Sequence, residues 1–300
     1  MSKRPLDESD SLGPEPLLSS QVSLEVMLVQ LGEREQFIRQ AILKVGMPTA
    51  RPPRPPEMRT LLRIMIGSQV SVAAAESISA RVWKKLGYEE DDPGLNSDLP
   101  ICPRVKNAKK GAKLGENDSS STISSSSISR SEFDKQKAEL LLSLSDEEMR
   151  ALGLSRQKVG YARGVALAII EGVIDIPSMA HLSDEDAHKT IVALKGFGPW
   201  SAHMYLMFGL SRTNIWPVGD IAVRGGVEMM LKAAGESLPV VPAKTSKGNG
   251  ALKSPSKNSK SKTTLTEPQA ELLGPRFEPH RSAVAMLAWH YYGFKDKSAV

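Results

Sequence analysis

The sequence predicts an all-α protein built as two helical subdomains, and three observations carry that prediction. Apolar residues recur at helical spacing through most of the chain, and no stretch shows the strict alternation of a half-buried strand. Aromatics make up only 5% of the 300 residues, while Ala, Leu and twelve Met are plentiful, which favours helix over sheet. Ser or Asp stands before several apolar runs, at the place of a helix cap.

Each element follows in order. Residues 1–20 are polar and Pro-rich, without the apolar region of a secretory signal, and read as a disordered tail. Residues 22–45 are free of Pro and predict one long helix, with Val22, Val26, Val29, Phe37, Ala41 and Val45 on its apolar face and Ser23 as its cap. The run PTARPPRPPE (48–57) is a stiff extended connector, because proline fixes φ and donates no hydrogen bond. Two helices come next, broken at Gly67 and Ser68, with Ser71 capping the second. Ser145 and Glu148 have the spacing of a capping box. A helix covers 153–172 from Ser155, another runs from Ser183 to Leu194, and a last one spans 280–293.

Two stretches interrupt this pattern. Residues 103–131 are rich in Lys, Gly and Ser; residues 240–268 carry Lys244, Lys247, Lys253, Lys257, Lys260 and Lys262, with no acid between the first and the last of these lysines. Neither can bury enough apolar surface to order itself. Both read as surface insertions into one continuous domain over 21–293, followed by a tail at 294–300. The lysine-rich insertion is either plain solvated chain, a source of non-specific affinity for a polyanion, or a nuclear address.

Composition excludes several classes. Lys and Arg total 39 against 34 Asp and Glu, and a net charge of +5 permits a polyanionic partner without requiring one. A single cysteine, Cys102, leaves no disulfide within the chain and no Cys-rich zinc or iron–sulfur site. The five histidines lack metal-ligand spacing, so no metal ligands are expected. No apolar run approaches the ~20 residues of a membrane span.

Two local features carry chemistry. Leu194-Lys195-Gly196-Phe197-Gly198-Pro199-Trp200 lies between two helical patterns. Glycine lets the chain reverse there, Pro199 suits the first turn of the second helix, and the backbone N–H groups at that helix start suit a phosphate oxygen. An ordinary tight turn between helices has the same pattern. Asp220 lies 20 residues after Trp200 and directly precedes a helix with Ile221, Val223, Val227, Met230 and Leu231 as apolar positions. It reads either as an N-cap or as a fixed anionic carboxylate for glycosidic chemistry.

Hairpin, glycine-preceded aspartate and following helix, in that order, resemble the helix-hairpin-helix/Gly-Pro-Asp superfamily of DNA glycosylases, and within it the DNA-3-methyladenine glycosylase II branch. The segments IGSQVSVAAAESISARVW (66–83), LGLSRQKVGYARGVA (152–166), LKGFGPWSAHMYLMFGL (194–210), WPVGDIAVRGG (216–226) and PHRSAVAMLAW (279–289) carry the likeness. The resemblance implies two helical subdomains flanking a DNA-binding cleft, with the first helix and the C-terminal helices in one, residues 57 to 195 forming much of the other, and the hairpin and Asp220 at their junction. It implies Asp220 as the catalytic carboxylate, and Trp200 and Trp289 as walls of a base pocket. Gln69 falls where a side chain fills the gap left by a flipped base. The hairpin, through Leu194, Gly196, Phe197 and Gly198, would hold a DNA phosphate with a monovalent cation between carbonyls and phosphate; no other cofactor is expected. Ser71, Arg224 and Arg281 are further DNA-contact candidates, although both arginines have an internal pairing role as an equal alternative, and either tryptophan has a core role.

Departures from the family pattern sharpen the expectation. Trp200 stands where bifunctional relatives carry a Schiff-base lysine, so hydrolysis without strand cleavage is expected. One cysteine leaves no four-cysteine cluster. Ser68-Gln69 replaces a glutamine pair, and His203 and Met204 occupy a stretch where some relatives place pocket aromatics. The expected partner is double-stranded DNA with damaged bases, bound by a monomer, in the nucleus of a eukaryote or with the nucleoid of a bacterium. The competing readings are a glycosylase/lyase, a non-catalytic DNA-binding module, and a glycosylase for deaminated bases.

Overall fold

Short polar side chains place most of the helix starts. In the computed structural model, which describes residues 20–51, 56–88, 129–241 and 265–294, the side chains of Ser20, Ser71, Ser129, Ser145, Ser155, Ser183, Asp220 and Thr266 each accept a backbone N–H of the turn that follows. The helices are α1 (Gln21–Arg34), α2 (Gln36–Val45), α3 (Met58–Gly67), α4 (Val72–Lys85), α5 (Arg130–Ser143), α6 (Asp146–Ala151), α7 (Arg156–Ile170), α8 (Asp184–Val192), α9 (Pro199–Phe208), α10 (Ile221–Ala233), α11 (Glu267–Leu273) and α12 (Arg281–Gly293). Two 3-10 turns, Pro177–His181 and Gly274–Phe277, join them, and no strand occurs among the described residues. The capping box at Ser145 and Glu148 is present, and α7 starts after Ser155.

The N-terminal helix expectation needs correction. Residues 21–45 form two helices with a break at Glu35, whose backbone is extended (φ −120°, ψ 103°). That break is a tertiary effect: the Glu35 carboxylate takes the Arg276 guanidinium through both oxygens, with Nε donating at 3.0 Å. The cap is Ser20, three residues before Ser23. The apolar stripe is also rotated, since Val22, Val26 and Val29 face outward while Leu24, Met27, Leu28 and Leu31 enter the core. Both faces of α1 are rich in apolar residues, so periodicity alone selects the wrong one.

The insertion edges also move inward. Ser129 caps α5 and Leu265 is buried, so 129–131 and 265–268 belong to the fold. The bodies of both insertions, Cys102 and the terminal tails lie outside the described residues. Nothing in the sequence periodicity announced α11, which starts at the edge of the second insertion on a Thr266–Gln269 capping box.

The helices form two packed groups. α1, α2, α10 and α12 pack together, with α11 alongside, while α3 to α9 pack around α3 and α7. One apolar core runs through both groups. α10 and α12 approach backbone to backbone at Gly226: a Cβ there would sit 2.1 Å from the Ala288 carbonyl oxygen. Beside it, a Cβ on Gly225 would lie 2.5 Å from the Tyr292 ring. This contact sets Trp289, the neighbour of Ala288, against the head of α10. A second junction joins α5 to α3, where buried Asp134 accepts the Met58 N–H at 2.9 Å.

Two stability predictions follow from these junctions. Gly226→Ala should cost about 1–3 kcal/mol through overpacking against rigid backbone, whereas Gly164→Ala in α7, whose Cβ would meet nothing within 4 Å, should stabilise by about 0.5–1 kcal/mol; equilibrium urea unfolding of both variants checks the contrast. Burial lifts the Asp134 carboxyl from 3.8 to about 7, against the Met58 N–H bond that lowers it and with Glu57 adding to the rise. A raised folded-state value means stability is lost as pH rises from the unfolded value through about 7. Asp134→Asn keeps the acceptor and removes the charge. Its thermal midpoint should exceed wild type at pH 8, by ~2–4 °C for each kcal/mol relieved, and the difference should vanish toward pH 4.

Candidate active site

The hairpin joins α8 to α9. The Phe197 N–H closes the turn on the Leu194 carbonyl at 3.0 Å, and both side chains are buried, which anchors the loop from below. Gly196 has φ +92°, and a Cβ at that position would lie 2.4 Å from the Tyr161 ring of α7. Glycine is therefore required there twice over, by conformation and by contact. Gly198 differs from expectation: its backbone is extended (φ −102°) and its Cβ position faces open space. Only one of the two glycines makes the reversal. No side chain caps α9 at Gly198, and Pro199 supplies no N–H. The Trp200 and Ser201 N–H groups therefore form the free end of the helix dipole, a place for an anion.

Asp220 caps α10, and the residue is only 2% exposed. Oδ1 accepts the Ala222 N–H at 2.8 Å and the Val223 N–H at 3.0 Å. The same oxygen takes the Trp289 indole N–H at 3.2 Å. Oδ2 accepts the Trp200 indole N–H at 2.8 Å. Four donors and no acceptor surround it, the environment of an acceptor-only carboxylate. The cap reading and the site reading are thus one structure. The cap bonds hold Oδ1 and the two tryptophans fix the carboxylate from the neighbouring helices. A fixed negative charge shielded from bulk water acts strongly on a positive charge that develops nearby.

Two residues beside this centre were not read from the sequence. Phe208, eight residues after Trp200 on α9, lies 5.9 Å from the Trp289 ring at 34°. The Arg51 guanidinium sits 5.1 Å over Phe208. Helical spacing from Trp200 was a usable signal for Phe208; nothing in the connector sequence marked Arg51. His203, one turn past Trp200, is pushed down to about 4 by burial, with His188 and Arg281 adding to the shift. Its ring lies 5.1 Å from that of His188, so it stays neutral near pH 7 and is no general acid there.

The remaining candidates divide. Gln69 is exposed between α3 and α4 with φ +60°, a left-handed conformation uncommon for a side-chain-bearing residue. The Ser71 hydroxyl is occupied in capping Ala74 at 3.3 Å. Arg224 bonds the Leu265 carbonyl at 3.0 Å and faces Glu267 at 3.7 Å. Arg281 bonds the Asn214 carbonyl and side chain at 3.0 and 2.8 Å and pairs with Glu278 at 3.3 Å. The structure thus gathers Asp220, Trp200 and Trp289 at one point, sets the hairpin and Gln69 on turns supported by α7, and gives both arginines internal partners. Among the described residues no group of three or more His, Cys, Asp or Glu could hold a metal ion, and no helix is long and apolar enough to cross a membrane.

Comparison with known proteins supplies the context. No protein-family model matches the chain. It is 33% identical over 99 residues to DNA-3-methyladenine glycosylase 1 of Schizosaccharomyces pombe, an alignment covering 33% of this chain and 41% of that one. It is 31% identical over 87 residues to the DNA-3-methyladenine glycosylase of Saccharomyces cerevisiae, covering 28% and 29%. The chain thus matches well under half the length of these curated relatives. The whole fold matches the solved 3-methyladenine DNA glycosylase of S. pombe in complex with abasic DNA, with a TM-score of 0.55 and 20% identity over 88% of this chain and 95% of that one. The chain thus shares the fold of that solved DNA glycosylase.

Proposed function

We propose that the protein is a monofunctional DNA glycosylase of the 3-methyladenine II type, acting as a monomer to hydrolyse the N-glycosidic bond of alkylated purines in duplex DNA. One observation carries this reading: the Asp220 carboxylate is held by four N–H donors, two of them indoles from separate helices, at the head of α10.

The target base cannot be reached inside a duplex, so the nucleotide leaves the stack. The hairpin N–H groups anchor a phosphate and Gln69 occupies the vacated space. An alkylated purine such as 3-methyladenine is already cationic. When its bond to C1′ breaks, the electron pair stays with the base, which departs neutral, and positive charge passes to the sugar. Asp220 stabilises that oxocarbenium ion; water then adds to C1′ and releases a proton, leaving free base and an abasic site. A good leaving group needs no acid, which is why one carboxylate serves where glycoside hydrolases use two. The half-buried faces of Trp200 and Trp289 stack on the cationic base, where cation–π attraction of roughly 0.5–2 kcal/mol favours it over a neutral purine.

The hairpin carbonyls of 194–198 are neutral oxygen donors without a carboxylate, a set suited to a monovalent cation. Such an ion would add positive charge beside the bound phosphate. Trp200 in place of the lyase lysine supports simple hydrolysis.

Asp220→Asn should lower single-turnover base release from a methylated duplex by several orders of magnitude while DNA affinity is kept. Equal activity in both would remove Asp220 from the mechanism, and no release by wild type from alkylated or deaminated duplexes would favour a non-catalytic DNA-binding module. Trp200→Phe separates the two indole roles, since it keeps an aromatic face and deletes the N–H. Losing a hydrogen bond to a charged group at about 1.5–3 kcal/mol should slow release by about 10–150-fold with little change in Kd. Wild-type rates in that variant would show that the indole N–H does not matter.

A further inference from the structure

We infer that the first turns of α7 form a rigid spacer that fixes the Gln69 turn relative to the phosphate-binding hairpin, with Lys158 and Tyr161 as its positioning residues. The inference rests on the proposed function, in which both turns meet DNA. Lys158 and Tyr161 are one helical turn apart on α7. The Lys158 ammonium donates to the carbonyls of Ile66 and Ser68, each at 2.8 Å. It thereby spans the end of α3, where carbonyls and dipole favour a cation. Burial pushes the ammonium below the usual lysine range, so those two oxygens are the compensation for its loss of water.

Gln69 follows immediately with φ +60°. A side-chain-bearing residue holds that conformation only where its surroundings impose it. Ser68 Oγ donates to the Met65 carbonyl at 2.8 Å and Ser71 caps α4, so the turn is tied on both sides. One turn along α7, the Tyr161 ring fills the space beneath Gly196, and the Gln157 side-chain amide bonds the Tyr161 hydroxyl. Two turns far apart in sequence are thus referenced to one helix. If Gln69 is to enter the stack while the hairpin grips the backbone, their separation has to be fixed before DNA arrives.

The test uses the full chain and a duplex holding one 7-methylguanine beside 2-aminopurine, whose fluorescence reports unstacking without needing turnover. Lys158→Met and Gln69→Ala should each slow unstacking and base release on the order of tenfold. DNA affinity and thermal midpoint should stay near wild type, and Lys158→Arg should recover part of the rate. In the double variant the losses should not add, because both remove the same presentation of Gln69. Tyr161→Ala should weaken DNA binding more than Tyr161→Phe, which keeps the ring and loses only the Gln157 bond. Additive losses, or a wild-type rate in Lys158→Met, would overturn the spacer while leaving Gln69 its role. A silent Gln69→Ala would remove the wedge and the spacer together. Unstacking by wild type without base release would instead sink the glycosylase reading and leave the spacer standing. Should Lys158→Met lower the thermal midpoint, Lys158→Gln, which keeps one donor, takes its place under the same criteria.

Discussion

The rest of the architecture depends on keeping one carboxylate dry and fully hydrogen-bonded. A buried charge is tolerated only when donors satisfy it, and Asp220 draws its donors from three helices. The cap bonds come from α10 itself, the Trp200 indole from α9 and the Trp289 indole from α12. α9 belongs to the α3–α9 group and α12 to the other. The two groups are therefore joined at the point where the charge sits. The glycine contact between α10 and α12 belongs to the same constraint: without a Cβ at Gly226 the helices come close enough for Trp289 to reach Oδ1. Packing, capping and the proposed chemistry all use one set of bonds.

Much of this was legible in the sequence, and the misses have particular causes. Caps are local, so Ser71, Ser145, Ser155 and Ser183 could be read directly. Asp220 was legible as the N-cap of α10, while its catalytic role came only from the family resemblance. The break at Glu35 was hidden, since it comes from an arginine 241 positions away in the chain. The face of α1 was misread because valines line one side and leucines the other, so both look apolar. Arg51 was invisible in a run of prolines. The two tryptophans were assigned to the site as ring surfaces; their N–H groups, which fix the carboxylate, could not be inferred until α9 and α12 were placed beside α10.

That dual use of the indoles bears on selectivity. An indole whose N–H is held by Asp220 is no longer free to turn, so its π face has a set orientation. A base that stacks on Trp200 or Trp289 must meet that face while its sugar lies near the carboxylate. Recognition of the base and placement of C1′ are then a single geometric condition. In the proposed reaction this ties binding energy from the aromatic faces to the step that needs the charge.

The neighbouring Phe208 limits how far that aromatic surface extends. Its ring lies beside Trp289 and already carries the Arg51 guanidinium over it. A cation in that place uses the negative face of the ring and repels a second positive charge. In the proposed reaction Phe208, itself buried and already in contact with Arg51, is closed to the base, and stacking falls to Trp200 and Trp289. These two rings then form a small aromatic patch beside the Asp220 carboxylate, to which both indoles donate. Such a patch gains most from a leaving group that arrives positive and departs neutral, because the charge it loses passes to the sugar, on the side where the carboxylate lies.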